Sequence, residues 1–202
     1  MTILRLAAVG ATLVLAACSL ERPLPEATTY SIEPTTAAAV PVTRRPETLR
    51  MGSVRVASAF DSRELVYRLD DVRFSTDFYN RFIAPPGPML GTRMADWLNR
   101  SGPFRAVIQP GVAPATPFVL EAVVTDLYGD FRPNRKPEAV MTIQFYLLNT
   151  AGLAPQVVLE RSIGRRVELS QPSPEVLVRG YSSALGGILT ELSAEIAKSS
   201  VH

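Results

Sequence analysis

Cys18 is the residue whose type and setting point most directly to a defined covalent chemistry. It is the only cysteine in the chain and closes the run Leu15-Ala16-Ala17-Cys18. Ahead of it lie a short start with one cation, Arg5, and an apolar run from Leu6 to Leu15, the layout of a secretory leader. That run falls well short of the ~20 residues a membrane-spanning helix needs. The last four residues form a lipobox, where the thiol takes a diacylglycerol and cleavage of the signal peptide 1–17 leaves Cys18 as the first residue. Palmitate is among the expected acyl chains. A solitary thiol cannot close an internal disulfide, and unmodified it would be a liability in an oxidising compartment. Ser19 follows, where Asp would favour retention in the inner membrane. The expected address is the outer membrane, facing the periplasm.

Little else in the sequence can do chemistry. The single histidine is His202, the last residue, which removes Ser–His and Cys–His nucleophile systems and histidine-based metal sites. No Gly-rich phosphate loop is present. Asp61, Glu64, Asp70 and Asp71 cluster in sequence and could pair as carboxylates, but such groups usually mark solvated turns and strand ends. No nucleophile, base and orienter can be assembled, so the expectation is a non-enzyme without cofactor or metal. Losing the leader removes Arg5 alone and leaves one basic residue in excess. Such a near-neutral chain has no field to gather nucleic acid.

The elements that must position any binding surface follow from patterning. Residues 18–50 read as a lipidated N-terminus and a flexible Pro-, Thr- and Ala-rich tether, with a short strand at Thr29–Ile32 as its first touch on the domain. The folded part is expected over 51–199. Val54, Val56 and Leu65-Val66-Tyr67 suggest two short strands around a turn at Asp61-Ser62. Residues 76–88 read as a loop rich in aromatics and prolines. Leu90, Met94, Trp97 and Leu98 share one helical face, and Gly102 offers a left-handed stop. Phe118 to Val124 and Met141 to Leu147 alternate as half-buried strands, flank the turn Arg132–Pro137, and with 157–169 form an antiparallel meander. The final helix has Ser173 as N-cap and Pro174 at its first position. Its stripe is Leu177, Tyr181, Leu185, Ile188, Leu192 and Ile196. Gly180, Gly186 and Gly187 imply either a close approach to the sheet or a kink. The fold class is α+β (mixed α/β): one compact domain, an antiparallel meander packed by two helices.

Two segments stand out as surfaces. Residues 78–90 gather Phe78, Tyr79, Phe82, Pro85, Pro86 and Met89, either as a partner site built on aromatic anchors or as a plug for one end of the core. The Arg132–Pro137 turn carries three cations, as a solvated hairpin tip or as a contact for lipid head groups.

An ordered series resembles the ABC-type transport auxiliary lipoprotein family, which includes the PqiC-like (paraquat-inducible protein C type) lipoproteins. It comprises Phe60-Asp61-Ser62-Arg63-Glu64-Leu65-Val66-Tyr67-Arg68, Tyr79, Pro85-Pro86, Met89-Leu90, Leu98 and Gly102-Pro103-Phe104-Arg105-Ala106-Val107. Tyr30-Ser31-Ile32 fits the family's opening. Phe82 departs from it, standing where Trp is expected and lacking that residue's N–H. The resemblance implies a non-enzymatic, outer-membrane-anchored subunit of an MCE-type system that moves lipid or other hydrophobic molecules between the membranes. Its partners would be a periplasmic MCE-domain protein and an ABC permease and ATPase. A ring or other homo-oligomer is compatible with a subunit that caps a conduit. Tyr67, Arg68, Phe78, Tyr79, Phe82, Pro85, Pro86 and Met89 are the candidate partner-binding residues. The competing expectation, motivated by the long tether, is a lipoprotein that activates or assembles other envelope machinery, such as a cell-wall synthase or an outer-membrane insertion complex.

Overall fold

The computed structural model describes residues 26–35, 44–112 and 115–199. Cys18, the leader and His202 lie outside them. In chain order the elements are β1 (Thr28–Tyr30), β2 (Arg45–Val56), β3 (Glu64–Arg68), β4 (Phe74–Phe82), α1 (Pro86–Ser101), β5 (Phe104–Ile108), β6 (Phe118–Asp130), β7 (Glu138–Asn149), β8 (Gln156–Glu168) and α2 (Pro174–Lys198). All eight strands join one sheet.

β6, β7 and β8 form the expected antiparallel meander, but the sheet as a whole is mixed. One edge of β6 takes β7 along its length. Its other edge is shared by β2, parallel along residues 118–124, and β3, parallel at 129–130. The two strands expected around the Asp61-Ser62 turn are therefore not partners of each other. Alternation placed their side chains correctly but could not say which strand pairs with which.

Both helices cover one face, α1 over β2 and β5 and α2 over β7 and β8. Leu120, Ala122, Val124, Met141, Ile143, Phe145 and Leu147 are buried beneath them, as their period of two requires. A bulge at Thr125 shifts the β6–β7 register, so the core-facing positions of β6 change from even to odd and Leu127 continues the row begun by Val124. The stripe of α2 from Leu177 to Ile196 is buried throughout. Its Ser173 hydroxyl accepts from Val176 N.

The glycines of α2 mark close approach. A Cβ on Gly180 would lie 2.7 Å from Ala139 Cβ, and one on Gly186 would collide with the Thr35 carbonyl. Gly102 ends α1 differently from the expectation: its backbone is extended (φ −85°, ψ 174°), and its N–H closes on Leu98 O at 2.7 Å. Glycine is required there because a Cβ would strike that same carbonyl.

Three expected boundaries move. β2 begins at Arg45, with Leu49 and Met51 fully buried, rather than at 51. Arg44 donates to Arg100 O at 2.6 Å and Arg45 to Ile196 O at 2.8 Å, so adjacent arginines close the C-terminal ends of α1 and α2, where cations are favoured. Residues 76–82 are strand, not loop, because a bulge in β4 breaks the alternation that would have shown it. Helix α1 starts at Pro86 rather than near Leu90. Its Pro-Gly-Pro start is accepted because first-turn N–H groups need no intrahelical partner, and a Cβ on Gly87 would meet Val54 O at 2.7 Å.

The short strand expected at Thr29–Ile32 is present as β1, and the attachment extends further than a single touch, over residues 28–35. β1 pairs in parallel with the end of β4, Thr28 opposite Asn80 and Tyr30 opposite Phe82. Ile32 is fully buried. Glu33 N donates to Ser182 Oγ and Thr35 N to Ser182 O, each at 3.1 Å, and the Glu33 carboxylate pairs with Arg93 of α1.

Candidate functional site

The candidate residues divide sharply. Phe82, Pro86 and Met89 are buried in the core and present nothing to a partner. Phe82 packs on Tyr181, ring centroids 6.3 Å apart. Pro85 is exposed as the residue that precedes α1. Phe78 and Tyr79 stand out on the surface, 73% and 50% exposed. The aromatic segment is therefore divided: Phe82, Pro86 and Met89 fold into the domain, as the plug alternative had it, and Phe78 and Tyr79 are exposed.

What displays Phe78 and Tyr79 is a bulge built on Asp77. Against β3, Leu65 lies opposite Asp77 while Glu64 lies opposite Arg81, which leaves Phe78, Tyr79 and Asn80 without ladder partners on that strand. Asp77 Oδ1 accepts from Tyr79 N and Asn80 N, both at 3.0 Å. Its Oδ2 accepts from Tyr67 Oη at 2.7 Å and Asn80 Nδ2 at 2.9 Å. Tyr30 of β1 donates to Asn80 Oδ1 at 3.1 Å, tying the N-terminal strand into the same network. Tyr67 in turn stacks on Phe131, centroids 5.0 Å apart.

The electrostatics follow from this packing. Burial works to raise the Asp77 carboxyl, but the bonds from Tyr67, Asn80 and the backbone outweigh it and hold the group below its ordinary value. The Tyr67 hydroxyl is pushed up, first by burial and then by its bond to Asp77. Both stay in one protonation state near neutrality: donor Tyr67, acceptor Asp77.

Around this network lies the end of the sheet formed by the β3–β4 turn and the β6–β7 turn. Val72 and Phe74 are exposed at the first. Arg68 stands over the Phe74 ring at 5.9 Å and pairs with Asp71. Asp70 shapes the turn by accepting from Val72 N and Arg73 N. Arg132 joins the two turns, bonding Asp71 at 2.7 Å and buried Asp130 at 2.8 Å. Asp70 and Asp71 are thus occupied as turn and ion-pair groups. Lys136 pairs with Glu168 at 2.7 Å. Among the described residues no group of three or more His, Cys, Asp or Glu could hold a metal, and no helix is long and apolar enough to cross a membrane. A groove of about 410 Å³ runs on the helix-covered side, between the β2 bulge at Gly52-Ser53 and the start of α1 at Gly87 and Pro88. No charged cluster lines it.

Comparison with known proteins places this architecture. The profile of the ABC-type transport auxiliary lipoprotein component family matches residues 30–197. The chain belongs to this family. The match starts at Tyr30, the first residue whose side chain enters the Asp77 network, and ends within the last turn of α2. A crystal structure from Xanthomonas campestris has the same fold, with TM-score 0.74 at 18% identity over 85% of this chain and 95% of that one. A hypothetical protein from Chlamydia trachomatis is more distant, with TM-score 0.51 at 11% identity over 77% of this chain and 98% of that one. A search among curated proteins finds no match. The single mixed sheet with two helices is thus the fold of this auxiliary-lipoprotein family.

Proposed function

We propose that this family member is lipidated on Cys18, resides on the periplasmic side of the outer membrane, and serves an MCE-type ABC system. In that system it would be a non-catalytic subunit for transfer of lipids or other hydrophobic molecules between the membranes. The family match over 30–197, to a transport auxiliary lipoprotein component, carries this reading. The lipobox before Cys18 and Ser19 after it support the address. The chemistry of the exposed surface, aromatic and apolar groups with paired charges, fits a docking subunit better than a catalyst.

The rival reading, an activator of other envelope machinery, drew on a tether of about thirty residues that would let the domain search far from its anchor. The clamping of residues 28–35 onto β4, α1 and α2 removes most of that reach.

Crosslinking the tagged, lipidated protein in whole envelopes, followed by mass spectrometry, tests the proposal. Recovery of an MCE-domain protein with a permease and an ATPase is the expected result. Recovery of cell-wall synthases or outer-membrane assembly factors in their place overturns it.

A further inference from the structure

We propose that the β3–β4 hairpin, through Val72, Phe74, Phe78 and Tyr79, is a membrane-contact surface that seats this domain on the bilayer holding its own lipid anchor. The inference rests on the reading of Cys18 as the lipidated residue.

Three observations carry it. The first is where the anchored end leaves the fold. β1 runs parallel to β4, with Thr28 opposite Asn80. Because the pairing is parallel, the direction back along β1 from Tyr30 to Thr28 is the direction along β4 from Phe82 to Asn80, the side on which Tyr79, Phe78 and the hairpin turn lie. From Glu26 to Cys18 about eight residues remain, at most ~28 Å even if fully extended. The bilayer is therefore held at high local concentration against this end of the sheet, where even a weak apolar contact is enough to orient the domain.

The second is the surface itself. Val72 is 90% exposed, and Phe74, Phe78 and Tyr79 are each about half exposed or more. Scattered apolar residues are ordinary on a soluble surface, but four on one hairpin next to an anchor are not. Phe78 and Tyr79 are presented by the Asp77 bulge above the Tyr67–Phe131 stack, Val72 by the turn that Asp70 shapes, and Phe74 by edge contacts with Phe60 and Tyr128. Tyr is suited to the interface between head groups and acyl chains, since its ring is apolar and its hydroxyl stays wet.

The third excludes the other occupants. β1 already occupies the far edge of β4 at Asn80–Phe82, and a strand added to the part before it would need a regular ladder that the bulge at 78–79 interrupts. An acidic partner would need spare cations. Arg132 is paired with Asp130 and Asp71, Lys136 with Glu168, Arg68 with Asp71 and Arg73 with Asp70, which leaves Arg135 as the one cation of these two turns without an ion pair among the described residues, too little for an acidic surface. The contact is apolar, and its strength is expected to depend little on anionic lipid.

The test uses the full lipidated chain in vesicles of phosphatidylethanolamine and phosphatidylglycerol, with lipids brominated high on the acyl chain as quenchers. Phe78→Trp and Tyr79→Trp report the hairpin. Leu153→Trp, fully exposed in the β7–β8 turn at the opposite end of the meander, is the control, and the buried Trp97 gives a common background. The expected result is a blue shift and loss of about half the added emission for F78W or Y79W, with none for L153W, as for a ring at the head-group boundary. If the protein floats with the vesicles but neither hairpin probe is quenched by lipid, the membrane seat is wrong while the anchor stands. If the hairpin probes are shielded from aqueous iodide as well as from brominated lipid, another protein copy covers the hairpin and the proposal falls. If the protein does not float with the vesicles at all, the lipidation reading fails and takes this inference with it.

Discussion

The Tyr67 hydroxyl donates to the Asp77 carboxylate across 2.7 Å, so a side chain of β3 fixes a bulge on the neighbouring strand β4. The same carboxylate accepts two backbone N–H groups and the Asn80 amide, and only the Tyr67 bond spans β3 to β4. Asp77→Ala strands all four donors and is expected to cost about 2 kcal/mol, since hydrogen bonds to charged groups exceed neutral ones. Tyr67→Phe leaves three of the four in place and is expected to cost about half as much. Urea unfolding of both variants measures the ratio. Equal costs would mean that the backbone bonds hold the bulge without help from the side-chain network.

Asp130 predicts how the fold meets acid. The Arg132 guanidinium beside it, helped by Arg166 and opposed by burial, lowers its carboxyl to about 2. The unfolded chain takes up this proton first as pH falls, because its carboxyl titrates near the ordinary 3.8. The contribution is therefore complete above pH ~4, is lost as pH falls through the folded value, and amounts to about 2 kcal/mol. Asp130→Asn should be less stable than wild type by about that amount at pH 7, with the gap closing toward pH 2. Unfolding curves at pH 7, 4, 3 and 2 decide the matter. A gap that stays constant would assign the loss to packing rather than charge.

The two ends of the chain were unequally legible. Where buried side chains follow an uninterrupted period, as in β7 and along α2, the alternation or stripe in the sequence is the structure. Where a bulge inserts a residue, as at Thr125, the parity changes and the pattern looks irregular though the strand continues. The Asp77 bulge had the stronger effect, because it made a nine-residue strand read as a loop and merged surface Phe78 with core Phe82 in one candidate set. The N-terminal segment was read as a single touch at Thr29–Ile32, and the extent of its attachment was missed for another reason. Its attachments are mostly backbone hydrogen bonds to Ser182, a single ion pair from Glu33 and one large buried side chain, Ile32. None of these gives a periodic signal. The advance signs were the short alternation at Thr29–Ile32 and Gly186 on α2, where a Cβ would strike the Thr35 carbonyl.

That relationship gives a sharper test of the N-terminal clamp than deletion would. Gly186→Ala places a methyl group against the Thr35 carbonyl and forces residues 33–35 off the helix, together with the Thr35 N–Ser182 O bond. Helix propensity alone would make the change favourable by ~1 kcal/mol. The expected outcome has the opposite sign: a net loss of stability and faster proteolytic cleavage in residues 31–36. Stabilisation by G186A would show that the segment packs elsewhere.

Tyr181 is fully buried on α2, and its hydroxyl finds no hydrogen-bond partner among the described residues. Burial pushes that hydroxyl well above its ordinary titration range. Tyr181→Phe removes a stranded polar group while keeping the ring against Phe82, so stability should hold or rise by about 1 kcal/mol. A loss larger than that would reveal a partner for the hydroxyl. Phe82 is also where the family resemblance drawn from the sequence led to the expectation of Trp. An indole N–H at 82 would be a donor beside an oxygen that lacks one. F82W should then cost less in the presence of Tyr181 than in the Y181F background, with a coupling of about 1 kcal/mol in a double-mutant cycle. Zero coupling would mean that the ring at 82 is chosen for volume alone.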